Sequence, residues 1–455
     1  MAHILLEDTL YDFFAAEGRR NNTSPPSKVF VSYNPISDLD LATKLPRNTK
    51  YLIQQWRSSD RSDFSPITNL ILMPQRMSWI AGNMSVIFFK GEKQEEQEEE
   101  AIYSNLEDDL AETIGVMSPR CRFEPSFCTS LEEIRQSAGD SVVIPYLPSD
   151  GLEGLKHLTN PDVHYELLSK RALALSGLPT PNAQLIDFAL PERGCDNEIL
   201  DNQIARAISA IHHHSRPFVL KSNSSGGSKG TYIIRTLADQ AAVEKDVNSL
   251  LRSEIRNLNP ENTHLHPYSL VLTAFLPGKA SALNFYVRND GQAQFSSLCE
   301  QDFSKTGHWL GASIKYSTQN ELAAQYVGIM QKTATFLHSR GYYGVVGIDV
   351  MTDDVGRHNV IDLNPRPTGS FVLGCLRSHF AGELAMDEAC VLPFMEFSAS
   401  RADFRTAFNT ELRIGEIIVL AWCSDPKRLR SHTCLAVGGR DKLSVKELCR
   451  RIEEW

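Results

Sequence analysis

Apolar residues in the first 150 positions fall into short runs, VFVSY, LILM, SVIFF and SVVIPYL, separated by polar intervals. Runs of this length predict an α/β domain on parallel strands. A helix is predicted from Pro161 to about Ser176. Helical spacing recurs from Leu237 to Arg256 and from Glu321 to Arg340, where Leu322, Tyr326, Ile329, Thr333 and Leu337 share one face and Gly341 stops the helix. After Leu376 come a helical stretch, the strand-like EIIVLAW run and a charged helix from Ser444. The pattern divides the chain into residues 1–150, 151–376 and 377–455, the last a small α+β unit.

The length of 455 residues suits about three domains, and 42% hydrophobic with 22% charged residues is the composition of a soluble globular protein. A net charge of −10 argues against broad nucleic-acid binding, which needs clustered Lys and Arg. Nine scattered cysteines without a CxxC pair predict free thiols in a reducing compartment. The N-terminus has no basic secretory segment and no apolar run reaches the ~18 residues of a membrane span, so a cytoplasmic protein without membrane partners is expected. The EKQEEQEEE run reads as a solvated segment.

Candidate chemistry concentrates in VIDLNPRPTG, where Asp362, Asn364 and Arg366 occupy alternate positions. On an extended strand these side chains share a face. Asp and Asn supply oxygen ligands for Mg²⁺, and a neighbouring Arg can clamp phosphate. The preceding run GVVGIDVM carries Asp349, so a hairpin would let the two acids share a metal. Upstream, PFVLKSNSSGGSKGTYIIR reads as strand, Gly/Ser loop, strand. Such a loop can bring backbone N–H groups against phosphate, with Lys221 as a point charge. It is no Walker loop, because Lys229 is followed by Gly230 and a β-like run, and no HRD triplet marks a protein kinase.

Lysine on a strand, a glycine-rich hairpin loop, then an acid on one strand and acid-x-Asn-x-Arg on the next resemble the ATP-grasp superfamily over about Leu155 to Leu376. The resemblance implies an α/β (α+β) ATP-grasp fold, with an N-terminal α/β pre-ATP-grasp domain, a glycine-loop lobe at about 216–286 and a small C-terminal domain. It implies ATP contacts at Lys170, Lys221, the loop residues Ser225, Gly226, Gly227, Lys229 and Gly230, and an adenine edge at Thr273, Ala274, Phe275 and Leu276. Asp349, Asp362 and Asn364 would hold Mg²⁺ or Mn²⁺, and Arg366 and Lys221 would act on the transferred phosphoryl group. The chain departs from the family after the hinge, where Gly278, Lys279, Ala280 and Ser281 include no acid for ribose. Arg288, Glu300 and His308 are candidate substrate contacts from their placement beside these landmarks. The implied activity is ATP-dependent amide formation between a small-molecule carboxylate and an amine through an acyl phosphate, with homo-oligomerisation left open. The three-part layout resembles ligases of natural-product pathways. The alternatives are activation of an enol or other oxygen, and a nucleotide-binding regulator without turnover.

Overall fold

The computed structural model of the protein describes residues 3–20, 28–32, 48–53, 71–90, 105–189, 197–224, 230–304, 309–425 and 429–455. Strands β1 (Lys28–Val31), β2 (Ser85–Phe89), β3 (Glu124–Cys128) and β4 (Val142–Pro145) form a parallel sheet in the order β3-β2-β1-β4. Three of the apolar runs supply β1, β2 and β4. The fourth, LILM, instead leads into the helix Met73–Ser78. Pro74 decides this, because its fixed φ suits a first helical turn and it would remove a ladder hydrogen bond from a strand.

The glycine-loop lobe is an antiparallel sheet of β5 (Ala183–Ile186), β6 (Phe218–Ser222), β7 (Thr231–Ile234) and β8 (Leu270–Ala274), in the order β5-β8-β6-β7. Helices Asn197–His213 and Leu237–Glu254 cover it, packing Ile204, Ile211, Val247 and Leu251 on Phe218, Leu220 and Leu272. The single helix predicted from Pro161 is two, Pro161–Leu167 and Lys170–Leu175. Ser169 breaks it: its extended backbone lets the hydroxyl accept from the Ala172 N–H, starting a new helix with Lys170 in its first turn.

The third sheet contains β9 (Ala280–Val287), β10 (Ala293–Phe303), β11 (Trp309–Lys315), β12 (Gly344–Thr352), β13 (His358–Asn364), β14 (Glu388–Phe397), β15 (Ile417–Asp425) and β16 (Arg430–Gly439). These eight strands run antiparallel in the order β13-β12-β9-β10-β11-β14-β16-β15, so the strands after residue 377 extend the sheet that holds the acidic hairpin. The sequence hides β14 because Pro393 interrupts its alternation, and the ladder shifts between Leu392 and Met395 to accommodate it. One face of the sheet buries Leu283, Phe285, Val346 and Ile348 against Tyr326, Ile329 and Leu337 of the helix Gln319–Ser339. The other face buries Ala282, Tyr286, Ala312 and Val391 in the core that includes Phe30, Val86 and Phe88 of the parallel sheet. Among the described residues, no helix is long and apolar enough to cross a membrane.

Candidate active site

The acidic hairpin is built by cross-strand register. Asp362 stands opposite Asp349, which stands opposite Ala282, while Asn364 stands opposite Gly347 and Asn284. Strand alternation therefore puts Asp349, Asp362 and Asn364 on the face turned to the N-terminal domain. Gly347 is required for close approach, since a Cβ there would lie 2.1 Å from Thr368 Cγ2. Thr368 Oγ1 donates to Asn284 Oδ1 at 2.7 Å, which ties the segment after Arg366 to the sheet.

Lys221 arrives from the glycine-loop lobe, and Lys170 from the helix Lys170–Leu175, whose Leu173 is buried in the core under the acidic-hairpin sheet. Lys170 Nζ donates to Asp362 Oδ1 at 2.5 Å. Lys221, on β6, donates to the carbonyl of Ile361. The β12–β13 register skips Ile361 at an irregularity next to Asp349, so this carbonyl lies at the bulge. Buried Asn223 links the lysine-bearing elements: its carbonyl accepts from the Lys170 N–H at 3.0 Å and its Oδ1 from the Arg171 N–H at 2.9 Å.

Charge is tightly matched here. Burial, and then the neighbouring Asp362 charge, push Asp349 up to about 7, although Gln301 Nε2 donates to its Oδ1 at 2.8 Å. Burial would also raise Asp362, but Lys170 and Lys221 outweigh it and hold this carboxyl below the usual range. Burial pushes Lys221 down, and Lys170 adds to the effect while the two acids oppose it. Two carboxylates facing each other repel when both are ionised. A divalent cation would relieve that repulsion, and Asp349, Asp362 and the Asn364 oxygen are the hard donors Mg²⁺ takes beside substrate phosphates. The described residues contain no larger cluster of metal-binding side chains.

Arg366 is held by groups from two domains. Its Nη2 donates to Asn364 Oδ1 at 3.1 Å and its Nη1 to the Tyr146 hydroxyl at 2.8 Å, with the guanidinium 5.2 Å from the centre of that ring. Tyr146 follows β4, at the carboxyl end of the parallel sheet, where ligands of such sheets bind. His164 supports the same segment, its Nε2 lying 2.8 Å from the Pro365 carbonyl and so acting as the donor. Burial pushes His164 down to about 4. A group depressed from 6.5 contributes stability that is full above pH 6.5 and lost as pH falls towards about 4. His164→Gln, which keeps an N–H for Pro365, is expected to weaken the loss of stability between these limits by up to about 3 kcal/mol. Urea titrations at pH 7 and pH 5 measure it, and identical pH dependence in both proteins would show that His164 does not titrate this way. The sequence reading missed His164, Tyr146, Gln301 and Asn223; position at a strand's carboxyl end was the available signal for Tyr146.

The remaining candidates are distributed differently. β8 ends at Ala274, so Phe275 and Leu276 continue beyond the ladder, with Phe275 under the Arg235 guanidinium at 5.0 Å. Thr273 lies within the ladder, its hydroxyl 3.4 Å from the Val219 carbonyl. Gly230 is buried at φ +67, and its carbonyl accepts from the Ser222 N–H, closing the base of the glycine hairpin. Ser225, Gly226, Gly227, Lys229 and His308 lie outside the described residues. Arg288 is not brought to the acids: it follows β9 at the end remote from Ala282, about 20 Å away along the strand. There it pairs with Asp290 at 2.5 Å and Glu17 at 3.5 Å. Glu300 is exposed and alternates with Gln301, so it leaves the sheet on the face away from Asp349, 3.6 Å from Lys442.

Residues 171–370 match the family model of the ATP-grasp domain. The chain carries an ATP-grasp domain. N5-carboxyaminoimidazole synthetase from Staphylococcus aureus, solved with ADP, matches at 12% identity and TM-score 0.51, covering 94% of this chain and 96% of its own. Phosphoribosylamine–glycine ligase from Thermotoga maritima matches at 11% identity and TM-score 0.50, with the same coverages of 94% and 96%. At these identities the likeness is one of fold. No curated protein sequence matches the chain. The ATP-grasp match includes Lys221 and the acidic hairpin and begins one residue after Lys170.

Proposed function

We propose that the protein is an ATP-dependent carboxylate–amine ligase. The observation that carries this reading is the meeting of Lys170 and Lys221 with Asp362 and the adjoining Ile361 carbonyl, Lys221 coming from the glycine-loop lobe. It makes one spot with both cations for a polyphosphate and acids for its metal. The two neighbours named above are, by their names, a synthetase and a ligase, and one was solved with ADP.

A substrate carboxylate oxygen attacks the γ-phosphorus of ATP, the bond to the β-phosphate oxygen breaks, and ADP leaves with its electron pair. The amine then attacks the acyl carbon, inorganic phosphate departs, and the amine loses a proton to give the amide. Phosphoryl transfer asks a protein for alignment and charge stabilisation. Lys170 and Lys221 would bind the polyphosphate, their contacts with the Asp362 carboxylate and the Ile361 carbonyl yielding as phosphate oxygens arrive. Arg366, fixed by Tyr146 and Asn364, would stabilise the transferred group. Asp349, Asp362 and Asn364 would hold Mg²⁺ or Mn²⁺, which offsets phosphate charge when bound. Adenine would meet the chain after β8, at Phe275 and Leu276.

The test is phosphate release from Mg·ATP in the presence of pooled amino acids, with products read by mass. Release that requires both a carboxylate and an amine is the expected result. Nucleotide binding without release under any pairing would instead identify a regulator.

A further inference from the structure

Arg76 belongs to the helix Met73–Ser78 of the N-terminal domain and is only 3% exposed. Among the described residues, its buried Nε and Nη1 have no hydrogen-bond partner. Buried cations are normally paired, because leaving one unpaired is strongly unfavourable. Among the described residues, no carboxylate pairs with it. Its Cζ lies 5.4 Å from the centre of the Trp309 ring and 5.2 Å from that of Phe394. Burial pushes the nearby Cys434 thiol up to about 12, so it stays neutral beside Arg76.

The position connects this guanidinium to the acidic hairpin. Gln301, which holds Asp349, is opposite Ala312, then Val391, then Ala436, so Cys434, two residues from Ala436 on β16, lies on the face that carries the acids. Trp309 also packs on the segment after Arg366, where a Cβ on Gly369 would lie 2.6 Å from the ring. Three strand spacings separate β12 from β11, about 14 Å. Arg76 thus adjoins strands on the far side of β10 from Asp349, on the same face of the sheet, as the second anchor of an extended substrate would.

We propose that Arg76 binds the non-reacting carboxylate of an extended substrate whose body lies against Trp309. One guanidinium between aromatic rings matches a planar monoanion, which it can meet with two parallel N–H bonds. A phosphate dianion would call for more cations than these neighbours offer. The inference rests on the ligase reading for the identity of the reacting end, and it specifies an acid of about dipeptide size with an apolar or aromatic body.

The experiment is calorimetric binding to the full chain with Mg·ADP, using the common amino acids and a set of dipeptides, each beside its C-terminal amide, with inorganic phosphate as a separate arm. At least one carboxylate is expected to bind about tenfold or more tightly than its amide. Arg76→Met should erase that preference, leave Mg·ADP affinity unchanged, and keep or raise Tm, because an unpaired buried charge has been removed. Arg76→Lys keeps the charge but loses the fork, and should weaken the preference; it decides the matter if the Met variant does not fold. No preference in the wild type, a preference that survives in either folded variant at full strength, or tighter binding of phosphate than of every carboxylate would each overturn the proposal. If no acid–amine pair releases phosphate but the Arg76-dependent preference persists, the ligase reading fails and this site stands. Turnover without that preference removes Arg76 alone.

Discussion

Arg366→Ala is expected to lower kcat by about two to three orders of magnitude, the loss typical when one preorganised donor to a developing oxyanion is removed. The expectation follows from how the side chain is held. Both of its terminal nitrogens are already engaged, with Tyr146 at 2.8 Å and Asn364 at 3.1 Å, and the Tyr146 ring lies against it. Little reorganisation would then be needed when charge moves to the transferred group. Arg366→Lys should recover only a small part of the rate, since a point charge cannot contact Tyr146, Asn364 and phosphate in the same plane. Tyr146→Phe keeps the ring and removes the hydroxyl, so its effect should be about tenfold or less. Single-turnover formation of ADP separates chemistry from release, and thermal denaturation checks that each variant is folded. Unchanged single-turnover rates in folded Arg366→Ala would remove Arg366 from the transition state.

The contrast between Arg366 and Arg288 shows which features were legible in sequence. Asp362 and Asn364 could be assigned to one face because alternation is local geometry, whereas β13 ends at Asn364 and Arg366 reaches its neighbour through a tight turn, its N–H donating to the Asn364 carbonyl at 2.7 Å. The partnering of β12 with β13 was equally readable from two apolar runs around a turn. Arg288 lies close to the hinge in sequence, but the direction of β9 carries it to the remote end, and strand direction relative to a site is not written in any short window. Likewise, the contact of His164 with Pro365 spans 201 positions and that of Arg366 with Tyr146 spans 220. Such pairings exist only after three sheets have packed. The meeting of the lysines with the acids came from the ATP-grasp resemblance, and the bulge at Ile361 that exposes a carbonyl to Lys221 had no local signal.

Asp362→Asn tests the junction of the two lobes most severely. The substitution conserves shape, leaves Asn364 a partner, and removes one charge from a site where Asp349 faces it across the strands. Two opposing consequences follow for the ligand-free protein. Asp349 loses the neighbour that helps to raise its pKa, which favours the folded state near neutral pH. Lys170, only 7% exposed, loses its carboxylate partner, and breaking such a pair costs about 3 kcal/mol or more. The second effect is larger, because Lys170 cannot turn to water while the repulsion it replaces was already reduced by protonation of Asp349. A lower Tm is therefore expected. Turnover should fall by about three orders of magnitude or more, since several kcal/mol of metal-borne charge stabilisation depends on this ligand. Stability and turnover alone would not separate a lost metal ligand from a loosened lobe contact. The ratio of ADP affinities with Mg²⁺ and with EDTA does: it should collapse towards one in Asp362→Asn, whereas Lys170→Met, which breaks the same contact from the other side, should weaken ADP binding in both conditions and preserve the ratio. A wild-type ratio in Asp362→Asn would mean that the facing carboxylates serve only to hold the lysines, and the metal would have to bind elsewhere.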